Sequence, residues 1–116
     1  MAYSTSARNA ALDGVGALGT FISMHTADPG TTGASEVSGG TYARVATTFA
    51  AAANGQKTGS QVTLNIPAST TITHWGLWSA ASAGTFICGG ALSSSSTYSS
   101  AGTYNFTPTL TAASGA

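Results

Sequence analysis

The fold is decided at Thr71-Ile72-Thr73-His74-Trp75-Gly76-Leu77-Trp78, a stretch that holds both tryptophans of the chain. Isoleucine, threonine and tryptophan favour the half-buried surface of a β-strand. Strand alternation gives the stretch two faces, with Ile72, His74, Gly76 and Trp78 on one and Thr73, Trp75 and Leu77 on the other. Because both faces carry large apolar groups, we expect a central strand that is covered on both sides.

The domain core should cover one face of this strand. A second sheet, the N-terminal helix or a neighbouring subunit should cover the other face. We expect Trp75 in the core and Trp78 at least partly covered. Gly76 lies between them without a side chain, which predicts a close approach of another group or a β-bulge.

Charged residues make up only 5 % of the 116 residues, against about 25 % in an average protein. The length fits a single domain over residues 1–116. Three basic residues cannot neutralise many phosphates, so we expect no nucleic-acid partner. A nearly uncharged surface also lacks the repulsion that keeps proteins apart. We therefore expect copies of the chain to cover one another, as a trimer or a multi-copy array, through shape and apolar contact.

The sequence shows no pattern typical of a membrane span, a signal peptide or a disulfide. No stretch approaches the roughly 18 apolar residues of a membrane span, so we expect no membrane partner. The N-terminus lacks a basic region followed by an apolar run, and we expect synthesis in a cytoplasm without export. Cys88 is the only cysteine, which leaves no intramolecular disulfide.

Short strands with even spacing follow one helical stretch. We expect a short helix at residues 6–13, capped by Ser6 and ended by Asp13-Gly14. A tight turn at Gly39-Gly40 could pair Glu36-Val37 with Thr41-Tyr42. Residues 50–59 read as an irregular connection, 93–100 as an edge or turn, and 111–116 as a flexible tail. The remaining strands are expected at residues 20–25, 41–49, 61–66, 71–78, 85–92 and 103–107. The pattern predicts an all-β fold: an antiparallel β-sandwich or flattened barrel of about seven strands with a short N-terminal helix.

Few residues are candidates for a metal site or a catalytic site. His25 and Asp28, with His74 joining them in space, could begin a metal site, but such a site needs three or four converging ligands. We instead expect His25, Asp28, Pro29 and Gly30 to build a structural turn. Cys88 lies mid-strand, where cysteine is usually a small buried hydrophobe and not a nucleophile. We expect no cofactor and no catalytic residue.

Glu36 and Arg44 flank the Gly39-Gly40 turn. They could form an ion pair across a hairpin, although strict pairing about the turn would place Glu36 opposite Ala43. Arg44 could instead anchor the loop at Asp28 or reach another subunit, and either charge could simply be solvated. With Tyr42, these residues are candidates for the core or for an interface.

Three segments resemble a family of small virion proteins of tailed bacteriophages. They are Met24-His25-Thr26-Ala27-Asp28-Pro29-Gly30, then Glu36-Val37-Ser38-Gly39-Gly40-Thr41-Tyr42-Ala43-Arg44, and later Ile72-Thr73-His74-Trp75-Gly76-Leu77-Trp78. A fourth match is Gly84 with Gly90-Ala91-Leu92. The resemblance runs in order from about Leu12 to Phe106.

The resemblance implies a non-enzymatic structural component of the virion, made in the bacterial host. Members are labelled tail-fibre or minor tail proteins, and some resemble capsid decoration proteins. Because this chain has no heptads and no collagen-like repeat, we expect a capsid decoration or cement protein that contacts the major capsid protein. The alternatives are a minor tail, collar or tail-fibre-associated protein with tail proteins as partners, and a carbohydrate-binding module for host attachment. In the last case, Trp75, Trp78, Tyr42, Tyr98 and Tyr104 would supply stacking surfaces.

Overall fold

The structure is a computed structural model that describes residues 1–112. Within this range lie one helix and eight strands, and every pairing between strands is antiparallel. The expected antiparallel all-β sandwich with a short N-terminal helix is confirmed, with eight strands in place of about seven. In chain order the elements are α1 (Thr5–Leu18), β1 (Phe21–His25), β2 (Val45–Ala46), β3 (Gln56–Thr58), β4 (Val62–Ile66), β5 (Thr70–Trp78), β6 (Phe86–Tyr98), β7 (Gly102–Phe106) and β8 (Thr109–Thr111).

The second half of the chain forms one long two-stranded ribbon. Strands β3, β4 and β5 pair in turn with β8, β7 and β6. Ile66 faces Gly102 and Thr70 faces Tyr98, so the register passes unchanged through the corner at residues 67–69. Residues 79–85 close the ribbon at its tip.

The ribbon folds back on itself, and its inner face forms the core. Trp75 and Phe106 lie far apart along the ribbon, because Phe106 pairs with Val62. A straight strand from Val62 to Trp75 would span about 40 Å, yet the Trp75 and Phe106 rings lie only 5.6 Å apart. The fold-back buries the apolar positions of β1, β4 and β5, among them Ile22, Met24, Val62, Leu64, Ile66, Ile72, Trp75 and Leu77.

β5 is an inner strand, as expected. β1 lies on one side of it and β6 on the other, and β2 extends the sheet beyond β1 in the order β2-β1-β5-β6. The expected alternation holds for Trp75 and Leu77, which lie in the core, but is wrong for Ile72. A register irregularity between Ile72 and His74 interrupts the period of two, and Ile72 packs in the core with Trp75 and Leu77.

The helix is longer than the sequence predicted. Ser4, not Ser6, caps it by accepting a hydrogen bond from the Ala7 N–H at 3.1 Å, and the helix ends at Leu18 instead of at residue 13. The helix continues past Asp13-Gly14, where the glycine was expected to end it. Asp13 accepts hydrogen bonds from the Ala52 N–H at 3.0 Å and from Lys57 Nζ at 2.6 Å, and these contacts hold the helix against residues 52–57. No helix within residues 1–112 is long and apolar enough to span a membrane.

Several expected boundaries are wrong. Residues 41–49 contribute only the short strand β2, and Glu36 bridges to His25 instead of pairing across Gly39-Gly40. β3 lies in the expected connection 50–59, and β6 continues through the serine run to Tyr98 as the edge of its sheet. Thr111 belongs to β8, so the expected tail at 111–116 begins within a strand, and its last four residues lie outside the described range.

Candidate functional site

The face of β5 that points away from the core carries Trp78 and is covered by the chain's own loop, residues 26–44. Pro29 is fully buried and packs over Gly89 of β6. Gly33, at a φ of 78°, lies so close to the Trp78 and Phe86 rings that a side chain there would collide with both. The cover is therefore a loop, and not the second sheet, helix or subunit that the sequence suggested.

A buried chain of hydrogen bonds begins at Trp78. Its Nε1–H donates to Ser23 Oγ at 2.9 Å, and Ser23 lies 2.6 Å from His25 Nε2. His25 Nδ1 lies 2.7 Å from the carbonyl oxygen of Ala34. Because a carbonyl can only accept, Nδ1 carries the proton and the Ser23 hydroxyl donates to Nε2. Burial lowers the pKa of His25, despite the opposing effect of its bond to Ala34, and the imidazole is neutral.

The Ser23–His25 pair has the spacing of a nucleophile and its base, but it is sealed inside the protein. Ser23 and His25 are both 0 % exposed, and the Ser23 oxygen already accepts the Trp78 N–H. Burial also raises the pKa of the Cys88 thiol, which is the opposite of what an activated cysteine needs. The sequence analysis did not single out Ser23, although its position two residues before His25 on one strand places both on the same face.

Arg44 is held on three sides. Its Nε and Nη2 donate to the two oxygens of Glu36, both at 2.9 Å, and Nη1 donates to the carbonyl oxygens of Ala80 and Ala83 at 3.1 and 2.8 Å. The guanidinium carbon lies 3.6 Å from the centre of the Trp78 ring. Of the alternatives that the sequence left open for Arg44, the ion pair with Glu36 is the one that forms.

Tyr42 links Glu36 to strand β1. Its hydroxyl accepts the Met24 N–H at 3.0 Å and donates to Glu36 at 2.8 Å. Burial, aided by the neighbouring Glu36 carboxylate, raises the pKa of Tyr42. Burial also acts to raise the pKa of Glu36, but the hydrogen bonds from Arg44 and Tyr42 outweigh it and hold that pKa below its ordinary value.

We call this set of interacting side chains the Trp78 cluster: Ser23, His25, Glu36, Tyr42, Arg44 and Trp78. It fastens three separate parts of the chain to one another, namely strand β1, the loop 26–44 and the ribbon tip 79–85. A shallow groove of about 340 Å³ lies beside it, between residues 36–44 and 81–83. The charged groups at this groove already bond within the chain, and the cluster forms a structural clamp between these three parts.

The other predicted site residues lie around the cluster or in the core. Asp28 accepts the Gly30 N–H at 2.9 Å in its turn, and Gly39 and Gly40 take positive φ values of 104° and 55°. Gly76 lies under the Phe86 ring, and His74 faces His25 across the strand pair. Within residues 1–112, no three histidine, cysteine, aspartate or glutamate side chains converge as metal ligands.

Comparison with known proteins identifies the family. The model of a family described as Podophage GP4 fiber I protein gp80 matches residues 4–112, from the helix cap to the end of the described range. The chain belongs to this family. As a member of the Podophage GP4 fiber I protein gp80 family, it is a structural protein of a tailed-phage virion and is associated with the tail fibre. No curated protein matches the chain.

Proposed function

We propose that this chain is a non-enzymatic structural subunit of the phage tail fibre, present in several copies per particle. The family match over residues 4–112 is the observation that carries the proposal. The Trp78 cluster supports it, because the clustered polar groups serve to hold the chain in one conformation. The low charge supports contact with other virion proteins, including copies of the chain itself, since small uncharged side chains lose little hydration when they are covered.

The sequence alone favoured capsid decoration, and the capsid surface is the alternative location on the particle. The family description favours the tail fibre. The absence of heptads argues less against a fibre, because the chain folds as a ribbon of paired strands and not as a coiled coil. The carbohydrate-binding alternative loses its best residues, because Trp75 and Trp78 are only 8 % and 9 % exposed. An indole must present an open face to stack on a sugar ring, so these two cannot serve.

The proposal can be tested by separating the parts of the virion. Purified particles are dissociated, tails are separated from heads, and peptides of this chain are quantified by mass spectrometry in both fractions. The major capsid protein serves as the internal standard for the heads. We expect the chain to fractionate with the tails at several copies per tail. Its recovery with the heads would contradict the fibre assignment and support capsid decoration.

A further inference from the structure

Four of the six charged side chains of this chain form two ion pairs, and the two that remain have opposite signs. Arg44 pairs with Glu36, and Lys57 pairs with Asp13. Within residues 1–112, which hold all six charged side chains, this leaves only Arg8 and Asp28 without an ionic partner.

Arg8 lies on the wall of an apolar groove. The groove has a volume of about 330 Å³ and is lined by Tyr3, Ala7, Arg8, Ala11 and Ala112. The Arg8 Nε is buried and has no hydrogen-bond partner among the described residues, while Nη2 donates only to Thr5 at 3.1 Å. Among residues 1–112 the Arg8 guanidinium has no ionic partner, and a buried N–H donor is stabilised when it gains an acceptor.

Tyr3, which lines the groove, is an exposed large apolar side chain. The exposed large apolar side chains of the described chain are Met1, Tyr3 and Leu18, and all three belong to α1 or to the residues just before it. The groove therefore combines apolar walls with one cation.

Asp28 is presented in the complementary way. It is exposed, and its Oδ1 accepts the Gly30 N–H at 2.9 Å, which fixes the carboxylate on the turn. Pro29 is buried against the sheet, so the turn is anchored from below. The second carboxylate oxygen makes no hydrogen bond within residues 1–112 and can accept one from a partner.

We propose that the Arg8 groove of one copy binds the Asp28 turn of a second copy. This deepens the proposed function, on which it rests, by naming the partner as the chain itself and the contact as head-to-tail. A head-to-tail contact uses two different surfaces, so each copy offers one free groove and one free turn. Repetition of the contact builds a ring or a filament, according to whether the rotation between copies closes.

Charge exchange tests the contact on the purified protein. The variants are Arg8→Glu, Asp28→Arg and the two combined in one chain, and sedimentation velocity measures self-association. Each single variant places like charges together, and we expect its association to weaken about tenfold or more. An equimolar mixture of the two single variants should associate again, because each groove then meets an opposite charge. The combined variant should associate on its own for the same reason.

Milder substitutions guard against misfolding. Asp28→Asn keeps the oxygen that accepts the Gly30 N–H and removes only the charge, and Arg8→Gln removes the other charge. Both should weaken association while their thermal unfolding stays close to that of the unchanged protein. A monomeric unchanged protein, single variants that associate normally, or a mixture that fails to recover association would each overturn the proposal. Recovery of the chain with phage heads would instead refute the fibre assignment, without altering the sedimentation result.

Discussion

The guanidinium of Arg44 lies 3.6 Å from the centre of the Trp78 ring while it also pairs with both oxygens of Glu36. The Arg44 side chain is 9 % exposed and that of Glu36 is 22 % exposed. One arginine thus joins the loop 26–44 to the end of β5 and, through two carbonyl groups, to the ribbon tip. A lysine could not reproduce this, because it lacks the planar fork and stacks less well.

Arg44→Met should therefore lower the free energy of unfolding by about 3 kcal/mol, because it leaves Glu36 as a largely buried charge without its partner. Arg44→Lys should cost less than Arg44→Met but remain clearly destabilising. Adding Glu36→Gln to Arg44→Met should recover part of the loss. Urea unfolding measures all three variants. A loss below about 1 kcal/mol for Arg44→Met, the size expected of a surface ion pair, would contradict the clamp.

Two glycines offer a matched pair of tests. A methyl group at Gly76 would lie 2.6 Å from Ser23 Oγ and 2.7 Å from His25 Nε2, whereas one at Gly14 meets nothing within 4 Å. Gly76→Ala should destabilise the protein by about 1–3 kcal/mol through overpacking. Gly14→Ala should stabilise it by up to about 1 kcal/mol, because alanine is the better helix former. Equal effects of the two changes on the thermal midpoint would show that the packing around Gly76 is misjudged.

Trp75, in the β5–β6 arm of the folded ribbon, contacts Phe106 in the β4–β7 arm. Trp75→Ala should cost about 3–5 kcal/mol, as large aromatic deletions in a core do. Leu18→Ala is the control, because Leu18 is 62 % exposed and its truncation should change stability little. Guanidinium unfolding followed by circular dichroism gives both values. Near-native stability of Trp75→Ala would refute the fold-back of the ribbon.

The buried His25 should make stability depend on pH. Its pKa is lowered from the ordinary value of 6.5, so below pH 6.5 the unfolded chain binds a proton that the folded chain does not. Stability is therefore greatest above that pH and falls as the pH drops through it toward the lowered value. Glu36, with a pKa lowered from 4.5, should add a separate loss below that pH. Urea unfolding between pH 8 and pH 5 should show the first loss in the unchanged protein and not in His25→Gln.

The sequence predicted the parts of the fold that depend on strong local patterns. Val62, Leu64 and Ile66 alternate with polar residues, and the stretch around Trp75 is rich in strand formers, so β4 and β5 were found close to their true bounds. β3 and β8 were missed because they are three residues long and mostly polar. Their pairing depends on the fold-back of the ribbon, which no local pattern encodes.

The sequence predicted the members of the candidate site except Ser23, but it did not predict their geometry. The scarcity of charge pointed to Glu36 and Arg44, and the aromatic content pointed to Tyr42 and Trp78. Their meeting depends on the irregular loop 26–44, which does not form the hairpin that Gly39-Gly40 suggested. Long-range contacts of this kind, such as Arg44 with the ribbon tip, leave no trace in sequence spacing.

The most direct test of the central claim is an electron cryomicroscopy map of the intact virion. A structural fibre subunit should appear as repeated density on the tail fibre that fits the bent ribbon, with the Arg8 groove of one copy against the next. Density for this chain on the capsid surface, or none anywhere on the particle, would contradict the account.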